Sequence, residues 1–215
     1  MEKFILLGAA RGLGWATYKK LKLIYDESEF LLVSRKIRMR EKELGSKTIL
    51  IEQDFSKLDW DENFVSKLKD FKPTCLIYFA GGGPFGTYQS KNWNSHIWCI
   101  NTTFLYPARL VHRILSDAES WSQLQDFVLI GSSIAESKPD PNAASYAAAK
   151  HALLGLVQSL NLEQKTPVRV NLFSPGYMQT DLLPPNSRPR LNDSAENPDV
   201  VAERLIEYIN SVRKS

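Results

Sequence analysis

The chain is predicted to fold as an α/β protein built on a doubly wound parallel sheet, and three observations carry that prediction. Short apolar runs of strand length alternate with longer segments of helical period. The runs are hydrophobic almost without interruption, which suits strands covered on both faces. The segments between them are long enough for the crossover helix that parallel neighbours require. Together they describe three layers, with helices on both sides of a sheet whose expected strand order is 3-2-1-4-5-6.

In chain order the strands are expected at Phe4 to Leu7, Phe30 to Val33, Thr48 to Ile51, Cys75 to Phe79, Phe127 to Ile130 and Val168 to Phe173. Helical patterns follow the first strand, from Trp15 to Ile24, and close the chain, from Val200 to Val212. Between Leu182 and Asn197, Pro184, Pro185 and Pro189 punctuate a polar stretch that carries Arg188 and Arg190. Prolines at this density forbid regular structure throughout, so the segment is either a lid over a site or a surface excursion. No repeat and no break in composition divides the chain, and residues 1–215 are read as one domain.

Bulk composition narrows the function classes. Hydrophobic residues make up 43% and charged residues 24%, a globular balance. The net charge of +3 and the interrupted basic stretch from Lys36 to Lys42 argue against nucleic acid and read as a solvated helix face. Trp15, Trp60, Trp93, Trp98 and Trp121 are scattered and lack a basic groove, so they are read as packing residues. His96, His112 and His151 have no ligand spacing, and no metal site is expected. Cys75 and Cys99 sit in apolar contexts as free thiols, no run of about 18 apolar residues occurs, and the expectation is a cytoplasmic protein without a membrane anchor.

Directly after the first strand comes Gly8-Ala9-Ala10-Arg11-Gly12-Leu13-Gly14, followed by the first helix. Glycines at a strand-to-helix turn permit a tight bend and let backbone amides reach a pyrophosphate at the helix N-terminus, the dinucleotide-binding arrangement of a Rossmann fold. A carboxylate about 20 residues on would hold a ribose 2′-hydroxyl. This chain has Ser34-Arg35-Lys36 there instead. A guanidinium in that place favours a 2′-phosphate, with Arg11 as a second cation, so NADP(H) is expected over NAD(H).

Tyr146 and Lys150 lie four residues apart on a helical pattern and so share one face. A phenol with an ordinary pKa of about 10 needs help to act near neutral pH, and an adjacent ammonium is expected to lower that value.

Taken together, these residues resemble the short-chain dehydrogenase/reductase family, over Phe4 to about Leu182. Asp54, with Phe55 beside it, matches the family's adenine-contacting aspartate; Ala80-Gly81 matches the tail of its Asn-Asn-Ala-Gly signature. Pro175-Gly176 and Thr180 match the segment that contacts the nicotinamide. Asn101 falls where the family keeps a structural and catalytic asparagine, and Ser133 stands 13 residues before Tyr146, the family's serine-to-tyrosine spacing.

The resemblance implies an oxidoreductase acting on a carbonyl or secondary alcohol of a small molecule. In that reading Tyr146 is the general acid or base, and Ser133 rather than Ser132 is the second hydrogen-bond donor. Lys150 tunes the tyrosine and binds the nicotinamide ribose, and Asn101 holds a water that resupplies protons.

Two departures stand against the family pattern. Tyr78-Phe79 replaces the two asparagines, and no sequence matching the family's seventh strand follows the last helix. The first implies altered packing near the cofactor, and the second removes one route to a tetramer. A homodimer through the helices of Asn101 and Tyr146 is the remaining assembly, with Leu153, Leu156, Val157 and Leu160 as surplus apolar surface. The same departures motivate the alternative function, a dinucleotide-binding sensor or scaffold without catalysis.

Overall fold

A computed structural model of the protein describes residues 1–57, 59, 61–163 and 167–214. Six parallel strands form one sheet: β1 (Lys3–Leu7), β2 (Glu29–Val33), β3 (Thr48–Ile51), β4 (Cys75–Tyr78), β5 (Asp126–Ile130) and β6 (Arg169–Phe173). Their order is β3-β2-β1-β4-β5-β6 and every neighbouring pair is parallel. The predicted doubly wound topology is therefore observed, and among the described residues there is no seventh strand. Trp60 lies outside the described residues.

The helices are α1 (Gly12–Ile24), α2 (Glu62–Asp70), α3 (Trp93–Ile100), α4 (Tyr106–Ser116), α5 (Ser133–Ser137), α6 (Ala144–Glu163), α7 (Arg188–Leu191) and α8 (Pro198–Val212). Helix α1 begins three residues earlier than the apolar pattern indicates, because the helix starts inside the glycine motif itself.

Alternate strand residues point to opposite faces, and each face has its own cover. Ile5, Leu7, Leu76, Tyr78, Phe127 and Leu129 pack on α2, α4 and α6 through Leu68, Leu110 and Leu153. Phe4, Leu6, Cys75, Ile77, Val128 and Ile130 pack on α1 and α8 through Tyr18, Leu21, Leu205 and Ile206. This two-sided burial is the physical source of the unbroken hydrophobic runs in the sequence. It also corrects the reading of α6: Leu153 and Val157 are buried in the core, with Leu160 packed against it, so these leucines and valine are not surplus surface for a partner.

Polar residues fasten the lower edge of the sheet. Asp126, fully buried at the start of β5, accepts from Arg169 Nε at 2.9 Å and Arg213 Nε at 2.7 Å, and Arg213 also pairs with Glu2 at 3.1 Å. A buried carboxylate tolerates burial only when paired in this way. The cluster ties the end of α8 to both β1 and β5, leaving the opposite, C-terminal edge of the strands free to build a site.

Candidate active site

The site lies at the C-terminal ends of the strands, where the order reverses between β1 and β4. Gly8 follows β1 with φ of +98°, and a Cβ there would lie 2.5 Å from the Ala80 nitrogen. A Cβ on Gly14 would lie 2.7 Å from the Gly8 carbonyl oxygen. Only glycine lets the chain turn this tightly and pack α1 against the β4 loop. No side chain caps the N-terminus of α1, and its first turn holds no acidic residue, so its amides are available to an anion.

A second cation supports this turn from outside. Arg40 donates to the Ala10 carbonyl at 2.9 Å, and its guanidinium lies 4.5 Å from the Trp15 ring centroid. The basic stretch is thus more than a solvated face, since one of its arginines braces the glycine loop.

One cavity of about 300 Å³ gathers the residues read from the sequence. Its floor is Gly8, Arg11, Gly12, Leu13 and Gly14. Ser34 and Arg35 close the β2 end, Asp54 and Phe55 the β3 end, and Ala80 and Gly81 follow β4. Tyr146 and Lys150 enter from α6, and Pro175, Gly176 and Thr180 from the segment after β6. Partial burial of Asp54 acts to raise its carboxyl pKa, but hydrogen bonds from the Ser56 amide and hydroxyl, aided by Arg35 and Lys57, hold it below the usual range.

Asn101 and Ser133 are the two predicted residues that do not line this cavity. Asn101 opens a π-helical turn, Asn101–Leu105, in which the Tyr106 amide reaches back to the Asn101 carbonyl. Its side chain donates to the Ser56 carbonyl at 3.1 Å, tying the kinked helix to the loop after β3. Ser133 starts α5, and its amide donates to the Pro175 carbonyl at 3.0 Å. Ser132, one residue earlier, lines the cavity together with Tyr146. Ser132 is thus the serine on the cavity wall, while the Ser133 hydroxyl lies 3.9 Å from where a Cβ of Gly176 would stand. Ser132 is the N-cap of α5, its side chain accepting from the Ala135 amide at 3.3 Å.

Burial governs titration here. It pushes Tyr146 up to about 12, with the Ser132 hydrogen bond opposing it and Cys99 and Glu136 adding to the rise. It pulls Lys150 down to about 8 despite Cys99 and Glu136, which favour its charge. The expected lowering of the tyrosine by Lys150 is not seen. Desolvation sets both directions, and the lysine Nζ donates to the Ile130 carbonyl at 2.5 Å and lies 5.5 Å from the Tyr146 ring centroid.

Lys150 accordingly links stability to pH. The unfolded lysine keeps its proton to about 10.5, whereas the folded one releases it near 8. Between those values the unfolded state binds more protons, so stability rises with pH. Relative to Lys150→Met, the wild type is expected to gain about 1–3 kcal/mol between pH 7 and 9.5 in urea unfolding. An unchanged difference would mean that the lysine is not desolvated. The upper limit avoids Tyr146, whose raised pKa lowers stability only above about 10.

Aromatic residues complete the site in ways composition does not signal. Tyr78, in place of a family asparagine, donates its hydroxyl to the Thr102 carbonyl in the π-helical turn at 2.7 Å. Thr103 Oγ1 accepts from the Gly82 amide and donates to the Gly82 carbonyl, each at 3.1 Å. The segment around β4 is thus tied to the kinked helix by Tyr78 and Thr103. Phe79 lies against Gly14. Trp98, expected as packing, lines the cavity, and Trp93 is 62% exposed; Trp15 and Trp121 are buried as expected.

The proline-rich segment is anchored rather than loose. Met178 and Glu196 form a parallel bridge, and Arg190 Nη2 donates to the carbonyls of Thr180 at 2.7 Å and Leu183 at 3.1 Å. Arg190 thereby pins the turn that carries Thr180, Asp181 and Leu182. Of the histidines, His96 is buried and bonds the Ser145 hydroxyl at 2.6 Å beside Tyr146. No group of side chains that could hold a metal occurs among the described residues, and no described helix is long and apolar enough to cross a membrane.

The family model described as short chain dehydrogenase matches residues 2–190. The chain belongs to the short-chain dehydrogenase family. It is therefore placed among oxidoreductases by most of its length, including every residue that lines the cavity. A comparison with curated proteins found no significant match.

Solved structures agree with this short-chain dehydrogenase in fold. A 4-hydroxyisoleucine dehydrogenase complexed with NADH is 21% identical, with a TM-score of 0.82 over 97% of this chain and 90% of the other. An alcohol dehydrogenase from the archaeon Thermococcus sibiricus, complexed with 5-hydroxy-NADP, is 21% identical with a TM-score of 0.80 over 98% and 91%. BdcA in complex with NADPH is 21% identical with a TM-score of 0.75 over 95% and 85%.

Proposed function

We propose that this short-chain dehydrogenase reduces the carbonyl group of a small molecule with NADPH, and oxidises the matching alcohol in reverse, with Tyr146 as general acid and base. One observation carries the reading: Tyr146 shares a cavity with Ser132, with Lys150 and with a glycine turn that no side chain caps.

The residues present fit a dinucleotide. Glycines whose Cβ would collide, free amides at a helix N-terminus and a cation at the end of β2 suit a pyrophosphate and a 2′-phosphate. When bound, the nicotinamide supplies or accepts the hydride.

The chain supplies the proton chemistry. Charge builds on the carbonyl oxygen as it is reduced, and Tyr146 donates a proton to it while Ser132 donates a hydrogen bond. With its pKa near 12, Tyr146 is a phenol at neutral pH and is ready to act as an acid. Lys150 is charged below about 8, and its charge favours the phenolate left after transfer. Asn101 positions the kinked helix, since its side chain is committed to the Ser56 carbonyl. Burial of Tyr146 and Lys150 on one cavity also weakens the sensor alternative, because desolvating an ammonium is unfavourable for a protein that only binds. The aromatic pair that motivated that alternative has a structural role of its own.

The preference for NADPH rests on Arg35, because the solved relatives include complexes with NADPH, an NADP derivative and NADH. Arg11 is a weaker contributor in this form. It pairs with Asp181 at 3.2 Å, but both side chains are mostly exposed and such a pair yields readily to a phosphate.

Calorimetric titration is expected to show NADPH binding about 10-fold or more tighter than NADH, with Arg35→Ala erasing the difference. Equal affinities in the wild type would rule out the assignment of NADPH. Turnover in a panel of aldehydes and ketones completes the test of the reaction class.

A further inference from the structure

Trp98 lines the cavity, and neither the family motifs nor the proposed chemistry uses it. Helix α3 buries His96 and Cys99, and Trp98 is turned to the cavity instead. Its ring meets two different elements there. The Arg35 guanidinium, from the end of β2, lies 5.7 Å from the ring centroid. The far edge of the indole rests on Gly82, where an added Cβ would lie 3.2 Å from Cη2 and 3.0 Å from Leu182 Cδ1 of the segment after β6. Trp98 thus bridges from the guanidinium at one end of the cavity to the turn after β4, where it meets Leu182.

Arg35 makes no salt bridge among the described residues. A long cationic side chain with no ion pair samples many rotamers, and a phosphate that captures it must first restrict them. An indole face removes part of that requirement, because a guanidinium stacks on it while keeping its in-plane N–H groups free. Gly82 allows the contact, since any Cβ there would push the indole or Leu182 away.

We propose that Trp98 is a positioning residue for cofactor choice: it holds the Arg35 guanidinium at the cavity, ready for the 2′-phosphate, and so sets part of the preference for NADPH over NADH. This rests on the reading of the site as a dinucleotide site. The ligand recognised through Arg35 is the phosphomonoester on the adenosine ribose; the part of the dinucleotide shared with NADH is held by other residues.

The test is a double-mutant cycle read by calorimetry, with NADPH and NADH as titrants and no substrate present. Trp98→Ala is expected to weaken NADPH by about 10-fold and NADH by less than about 3-fold. In an Arg35→Ala background the same substitution should leave NADPH affinity unchanged, because there is no guanidinium to hold. Trp98→Phe, which keeps an aromatic face, should restore most of the preference and guards against misfolding as the explanation. Equal weakening of both dinucleotides, or a full additional loss in the Arg35→Ala background, would overturn the proposal while leaving the dinucleotide site intact. Failure of the wild type to bind either dinucleotide would overturn the functional reading as well.

Discussion

Tyr146→Phe is expected to lower carbonyl reduction by about 10³-fold or more while NADPH affinity stays within about 3-fold. The substitution keeps the ring, its packing and its distance from Lys150, and deletes only the hydroxyl that gives up the proton. General acid catalysis accounts for about 10²–10⁴ in rate, so the loss should appear in kcat rather than in KM. Steady-state kinetics on the best substrate of a carbonyl panel, paired with calorimetry, separates the two. Turnover near the wild-type level in this variant would remove Tyr146 from the mechanism altogether.

The second large effect separates two adjacent serines. Ser132→Ala should reduce kcat by about 10²-fold, as loss of one hydrogen-bond donor to a developing oxyanion does. Ser133→Ala should change it by less than about 3-fold, because Ser133 does not line the cavity and its backbone contact to Pro175 survives the substitution. Ser132 also caps α5 by accepting from the Ala135 amide, so its removal destabilises the chain by about 1 kcal/mol. That loss is small enough for the variant to remain folded, and thermal unfolding measures it separately. The opposite ranking of the two variants would restore the assignment by spacing.

Much of this molecule was legible before any coordinates. All six strands fell within one residue of their observed limits: the central four mark themselves because a strand buried on both faces must be apolar throughout, and the partly buried edge strands β3 and β6 are still rich in apolar and β-branched residues. The glycine loop was legible for a related reason: Gly8 and Gly14 stand where no Cβ fits, and such positions admit one residue type. Arg35 was found by the chemistry that its neighbourhood lacks, a carboxylate after β2.

Other features escaped because they depend on what lies across the cavity rather than along the chain. Trp98 and Arg40 are unremarkable as residues in a sequence, and each gains its role from an aromatic or cationic partner on another element. Tyr78 looked like a departure until its hydroxyl was seen on the Thr102 carbonyl, which no spacing rule anticipates. Leu153 and Val157 were misjudged for the opposite reason: an apolar helix face does not say whether a sheet or a second protein covers it.

The order of apolar runs, glycines and polar signatures was sufficient for the strand order, the place of the cavity and the family, since each reflects a constraint felt within a few residues. Which serine meets the tyrosine, and in which protonation state Tyr146 and Lys150 rest, required the folded chain. Those properties arise from burial and from distances between segments far apart in sequence, and the desolvation of two side chains on α6 is enough to change them.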